Sequence, residues 1–129
     1  MQTNQLTSKI IQAAITVHDE LGPGLLESVY ETCLAEVLRE MGLRVQTQKP
    51  IPVVFRGKAM DMNFRLDILV NDEVIVELKA VDAILPIHEA QLFTYLKLSG
   101  KNVGLIINFN VKLLKTGIKR VVLDFDKPY

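Results

Sequence analysis

Two apolar runs split by three polar residues restrict this chain more than any other feature. They are Phe64-Arg65-Leu66-Asp67-Ile68-Leu69-Val70 and Val74-Ile75-Val76-Glu77-Leu78-Lys79, joined by Asn71-Asp72-Glu73. Both runs are rich in β-branched residues and of strand length, and a three-residue connection closes a hairpin. Pairing through that loop sets Val70 against Val74, Ile68 against Val76 and Leu66 against Leu78 on one apolar face. The other face carries Leu69 against Ile75, Asp67 against Glu77 and Arg65 against Lys79. A two-residue loop would set Asp67 against Val76 and scramble both faces, because a slip of one residue reverses every side chain. The apolar pattern therefore predicts two carboxylates side by side on neighbouring antiparallel strands.

The rest of the chain supplies what such a hairpin packs against. Leu6, Ile10, Ala14, Val17 and Leu21 recur at helical spacing, which predicts a helix from about Asn4 to Glu20 that Gly22-Pro23-Gly24 stops. A second stripe, Leu26, Tyr30, Cys33, Val37 and Met41, ends at Gly42. From Leu43 the pattern becomes strand-like through Phe55, and Arg56-Gly57-Lys58 reads as a turn. Pro86 opens a third helix that runs to about Ser99 with Gly100 behind it. Val103 to Ile107 is continuously apolar, as a strand covered on both faces is. A last strand is expected from Ile118 to Phe125. A helix between Val74–Lys79 and Val103–Ile107 makes those strands parallel by a crossover. The expected fold is a small three-layer α/β sandwich, a central mixed sheet flanked by helices, forming one domain over residues 1–129.

Composition removes several classes of function. The 129 residues are 49 % hydrophobic, too apolar for a disordered tail. Fifteen basic and fifteen acidic residues cancel, so gross charge does not mark a polybasic nucleic-acid binder and any anion site is local. The single cysteine, Cys33, excludes an internal disulfide framework, a cysteine zinc cage and a four-cysteine iron–sulfur cluster. The chain fits a reducing cytoplasm, and no run approaches the length of a membrane span.

Like charges opposite each other destabilise a sheet, so Asp67 and Glu77 need a reason. One reading makes them exposed strand ends neutralised by Arg65 and Lys79, a kind of pair worth little. The other places a divalent cation between them, since hard oxygen ligands suit Mg²⁺ or Mn²⁺. Lys79 points to the same side as Glu77, and Glu27 sits at the edge of the second helix's apolar stripe, where a carboxylate would be partly buried.

Asp67 followed by Glu77-Leu78-Lys79 resembles the D…(E)xK signature of the PD-(D/E)XK nuclease superfamily, with Leu66 standing where the signature name has proline. Gly24-Leu25-Leu26-Glu27-Ser28-Val29-Tyr30 resembles the motif that names the GxxExxY family, a branch assigned to that superfamily. Val17-His18, Leu21-Gly22-Pro23-Gly24 and His88-Glu89-Ala90-Gln91 are similar to that family as well, so the likeness runs from about Ile10 to Leu123. It implies a restriction-endonuclease-like core in which Asp67 and Glu77 hold the metal, with the Leu78 main-chain carbonyl as a further oxygen and Glu27 as an added helical acid. It also implies that Lys79 orients or activates the attacking water and that Gln91 and Tyr95 form a QxxxY element, with His88 on the same face. The activity it implies is Mg²⁺- or Mn²⁺-dependent cleavage of DNA or RNA. The alternative from another class is a noncatalytic domain that keeps the fold and binds nucleic acid or a protein partner.

Other residues have plainer readings. His18 falls at the edge of the first helix's stripe and reads as a packing histidine, with substrate contact second. Tyr30 lies inside its stripe as core, its hydroxyl within reach of Glu27 one turn away. Glu31 and Glu36 read as solvated helix charges, Cys33 as an inert core thiol, and Lys112, Lys115, Lys119 and Arg120 as a solvated basic loop and strand edge, with phosphate contact in a nuclease as the second reading. The sequence leaves open whether the chain forms a homodimer.

Overall fold

The computed structural model describes residues 1–124. The first helix, α1 (Thr3–Leu21), buries Leu6, Ile10, Ala13, Ala14 and Val17 as one stripe. Gly22, at φ 71°, ends it by donating its N–H to the His18 carbonyl at 2.8 Å, a backbone turn that favours glycine. The helix α2 (Glu27–Glu40) follows after four more residues and buries Tyr30, Leu34, Ala35 and Leu38. Strands β1 (Val45–Phe55), β2 (Lys58–Val70) and β3 (Val74–Lys79) come next, then α3 (Pro86–Ser99), β4 (Val103–Asn108) and β5 (Ile118–Val122). The end predicted for the last strand, Phe125, lies outside the described residues.

The five strands lie in sequence order. Only the β3–β4 pair, joined through α3, is parallel; the other three are antiparallel. The sheet is therefore mixed, as expected. Its two faces carry separate cores. Leu6, Ile10, Tyr30 and Leu34 of α1 and α2 pack on Val74, Val76, Leu105 and Ile107. Leu92 and Leu96 of α3 pack on Leu69, Ile75 and Ile106 from the other side. Every residue of β4 is buried, which explains its unbroken apolar run. Gly104 lets α3 approach closely: a Cβ there would stand 2.8 Å from the Leu92 side chain. The Thr3 hydroxyl donates to the Glu73 carboxylate, tying the start of α1 to the β2–β3 turn.

Two expectations are corrected. β2 does not begin near Phe64 but at Lys58, and pairs with β1 as a long two-stranded arm around Arg56 and Gly57. The residues from Lys58 to Asn63 are exposed, so no buried alternation marks them as a strand; the ladder with β1 does. The second correction concerns Leu66, which does not share a face with Leu78. Leu66 lies in the α3-side core, whereas Ile68, Val70 and Leu78 lie in the α1/α2-side core. Both β1 and β2 change face between these positions. The Lys49–Leu66 and Thr47–Ile68 pairs flank an unpaired Gln48 and Asp67, and Gln48 has a left-handed φ of 51°. A broken rung of this kind re-aims side chains as a β-bulge does.

Candidate active site

The three-residue loop sets the register predicted for the hairpin. Val70 pairs with Val74, Leu69 with Ile75 and Ile68 with Val76. Asn71 and Asp72 take left-handed conformations in the loop, at φ 52° and 53°, which their short polar side chains tolerate. The ladder then stops, and the two acids take over. The Asp67 N–H donates to Glu77 Oε2 at 2.9 Å, and the Leu78 N–H donates to Asp67 Oδ2 at 2.9 Å. Each carboxylate is thus fixed by the backbone of the opposite strand, and its second oxygen takes no hydrogen bond from the described residues.

The pair is not an exposed strand end neutralised by its neighbours. Glu77 is only 6 % exposed. Arg65 turns away, its Nη1 reaching the Gln48 carbonyl at 3.4 Å. Burial, and then the charge of Asp67, push the Glu77 carboxyl up to about 8, against the opposing pull of the Asp67 N–H and the Lys79 ammonium. By strand alternation Lys79 shares the Glu77 face, as predicted, and it is half-buried. It forms no ion pair with a described carboxylate, so near neutral pH the burial of the acid pair is relieved by a proton on Glu77 rather than by a salt bridge.

Asp67 and Leu78 open onto a cleft of about 380 Å³ whose other walls are Glu27, Ser28, Glu31 and Gln48. Glu27 therefore stands over the sheet end that carries Asp67. It is exposed rather than partly buried, because it occupies the first turn of α2, before the helix descends onto the core. Glu31, expected as a solvated helix charge, is corrected by the structure. It is half-buried, and its carboxyl accepts a hydrogen bond from Gln48 Nε2 at 2.6 Å. Burial, and then the charges of Asp67 and Glu27, raise its pKa. The signal is present in the sequence, since Glu31 lies four residues after Glu27 and so on the same helix face. Gln48 carries no sequence signal; the broken rung brings it here.

The remaining candidates divide. Tyr30 does not brace Glu27. Its hydroxyl donates to the Gly22 carbonyl at 2.6 Å and accepts the Leu25 N–H at 3.2 Å, while its ring stacks on Phe109 at 4.4 Å. It closes the glycine-led loop from within, and Glu27 follows two residues after Leu25. Tyr30→Phe is expected to lower stability by about 1 kcal/mol, because it removes two hydrogen bonds from a part-buried loop; thermal melting reads this. His18 is a packing residue, buried near Phe109, with its Nε2–H donating to the Val111 carbonyl at 2.7 Å.

His88, Gln91 and Tyr95 do share one groove on α3, of about 420 Å³. His88 Nδ1 accepts the Leu85 N–H at 3.0 Å and so caps the helix. Tyr95 stacks on Phe64 at 4.6 Å, and burial, then Glu77 and Asp67, raise its pKa, so it lies within electrostatic reach of the acid pair. Asn108 escapes sequence reasoning altogether. It pairs with Lys79 across β3 and β4, accepts the Val81 N–H at 3.1 Å and donates to the Val81 carbonyl at 2.9 Å. That clamps the chain just after Lys79.

Compared with known families, residues 4–121 match the model of the PD-(D/E)XK nuclease superfamily. The chain belongs to that superfamily. No curated protein and no solved structure gives a match. Nucleases of the superfamily typically use divalent metal ions. The acid pair suits one: two hard oxygen donors, each with an oxygen to spare, and a buried Glu77 that is costly to ionise without a cation beside it. Among the described residues no three His, Cys, Asp or Glu side chains converge on one point. No helix among the described residues is long and apolar enough to cross a membrane.

Proposed function

We propose that this protein is a divalent-metal-dependent nuclease of the GxxExxY branch, a single domain that hydrolyses phosphodiester bonds in nucleic acid. One observation carries the reading. Asp67 and Glu77 are locked by reciprocal backbone hydrogen bonds where the β2–β3 ladder opens, with Lys79 beside them and an acid-lined cleft in front. Asp67 and Glu77 would hold Mg²⁺ or Mn²⁺ with the Leu78 main-chain carbonyl, and Glu27 would face the ion from α2. A bound divalent ion supplies Lewis-acid charge at a phosphate oxygen and lowers the pKa of water.

The chain's own residues then have separable tasks. Asp67 and Glu77 fix the position of positive charge, because their backbone partners leave them little freedom. The Lys79 ammonium orients the attacking water by hydrogen bonding and stabilises the charge that builds on the phosphoryl oxygens. The Val81–Asn108 clamp keeps the segment after Lys79 in place. Tyr95 and Gln91, on the adjoining α3 groove, offer a hydroxyl and an amide to the phosphate backbone.

Calorimetric titration with Mn²⁺ tests the reading directly. Asp67→Ala is expected to weaken binding by at least about tenfold and to abolish metal-dependent cleavage. Glu27→Gln separates a ligating from a capping role. It is expected to weaken Mn²⁺ binding while leaving the metal-free melting temperature nearly unchanged, since Glu27 is exposed and the helix-dipole effect is worth about 0.3–1 kcal/mol. A clear loss of stability with unchanged metal binding would assign Glu27 to the helix end. The second reading, a noncatalytic domain that binds nucleic acid or protein, is favoured by the neutral total charge, with fifteen residues of each sign. It predicts nucleic-acid binding that survives loss of both Asp67 and Glu77, with no cleavage of single- or double-stranded substrates.

A further inference from the structure

The neutral total charge hides a segregation along the chain. The segment from Lys49 to Arg65 carries four cations, Lys49, Arg56, Lys58 and Arg65, against one acid, Asp61. The remaining residues are acidic by the same margin, since the whole chain has fifteen of each sign. This segment is the β1–β2 arm. It leaves the sheet at the rung beside Gln48 and Asp67, where the acid-lined cleft begins. Lys49 to Phe55 reaches about 20 Å, the rise of roughly six stacked nucleotides of one strand.

The arm is built for a partner rather than for the core. From Pro52 to Asn63 no residue is buried, and Phe55 and Met62 are 59 % and 62 % exposed. None of its four cations forms an ion pair with a described carboxylate; Lys101–Asp72 and Lys119–Glu89 lie elsewhere. At its tip Arg56 takes a left-handed φ of 55°, with its guanidinium 5.3 Å from the centre of the Phe55 ring. The two-residue hairpin turn of Arg56 and Gly57, at φ 55° and 76°, sets that conformation and holds the cation out at the tip. Exposed aromatic and apolar side chains among unpaired cations are the combination that binds single strands, by stacking on bases and neutralising phosphates. Pairing with a second copy along β1 is opposed by Pro50 and Pro52, which remove N–H donors from this edge strand.

We propose that the β1–β2 arm binds a single-stranded stretch of nucleic acid, with Lys49, Arg56, Lys58 and Arg65 on its phosphates and Phe55 stacked on a base. The proposal rests on the nuclease reading for the choice of a polyanion, and it supplies what the cleft lacks. The acids that line it, Glu27, Glu31 and Asp67, repel a phosphate backbone, so attraction has to come from beside them.

The test is fluorescence anisotropy with a labelled oligothymidylate of about 20 nucleotides, in EDTA, across a range of salt. The full chain is used with Asp67→Ala as background, so that cleavage plays no part. Replacing Arg56→Gln and Lys58→Gln together is expected to weaken binding about tenfold or more at low salt. It should also flatten the log Kd against log salt slope by about 1.4, or ~0.7 for each phosphate left without its cation. Phe55→Ala is expected to lose about tenfold with the slope unchanged. Lys112→Gln with Lys115→Gln should leave both readings as they were. Unaltered melting temperatures would show that the exposed substitutions leave the fold intact. No oligothymidylate binding by the parent chain, or the same slope in the Arg56/Lys58 variant, overturns the proposal. So does a dimer in sedimentation velocity that Phe55→Ala dissociates while oligonucleotide binding is unchanged. The two readings fail separately: arm-dependent binding without cleavage by the wild-type chain sinks the nuclease reading alone, and cleavage indifferent to the arm sinks this one alone.

Discussion

Lys79→Ala is expected to cut metal-dependent cleavage by about two to four orders of magnitude while Mn²⁺ binding survives. The two effects separate because they draw on different states. In the resting protein Lys79 opposes the upward push on Glu77, so removing it leaves the acid pair with less compensation. A cation entering the site then loses a like-charged neighbour, and at a pH well above 8, where Glu77 is ionised even without the ammonium, it binds at least as tightly as before. On the proposed reading the ammonium stabilises, in the transition state, charge that the ground state lacks, so its loss falls on kcat. Lys79→Arg would not restore the rate, since a planar guanidinium of higher pKa neither fits the half-buried position nor moves a proton. Cleavage unchanged in Lys79→Ala would place the activity in another protein or at another site.

The sheet around these residues is legible in the sequence because its signals are local and apolar. The loop Asn71–Glu73 with the alternation of Ile68, Val70, Val74 and Val76 sets the hairpin register, and the buried run of β4 marks the centre of the sheet. Leu66 is misplaced by alternation because alternation assumes an unbroken ladder, and nothing about Gln48 announces the left-handed turn that breaks it. The arm from Lys58 to Asn63 is unreadable for the converse reason: an exposed strand has no buried face to impose a period. The closeness of Asp67 and Glu77 follows from register, whereas a place for Glu27 beside them comes from the family resemblance, since the helix stripe alone has it partly buried and it is exposed. Glu31 reads as solvated because a charge on an exposed-looking helix face usually is, and only the position of α2 over Asp67 desolvates it. Tyr30 and His18 go the other way. Their polar atoms are taken up by the carbonyls of Gly22 and Val111, partners that no sequence spacing reveals.

The buried Glu77 carboxyl predicts a pH dependence of stability opposite to that of an ordinary paired acid. Its pKa in the folded, metal-free protein is about 8, against an ordinary value of 4.5. Between those values the unfolded chain has lost the proton and the folded chain keeps it, so the folded state binds more protons and stability falls as pH rises. The stabilising contribution is complete below pH 4.5 and gone above pH 8. Its size is on the order of 2 kcal/mol or more, which is several degrees in Tm for a chain of this length. Glu77→Gln removes the titration while its amide oxygen can still accept the Asp67 N–H. The variant is therefore expected to melt several degrees above wild type at pH 8.5 in EDTA, with little difference at pH 5. It is also expected to bind Mn²⁺ at least about tenfold more weakly. In wild type, binding at pH 7 should release about one proton per ion, read from the buffer dependence of the calorimetric heat, and none at pH 9.5. Parallel melting curves for the two proteins from pH 5 to 8.5 would mean that Glu77 is already ionised and compensated in the free protein. The acid pair would then have no need of a cation. A steeper fall for wild type, reversed by Mn²⁺, ties the instability of the apo fold to the site itself: the charge that destabilises the sheet is the charge that holds the metal.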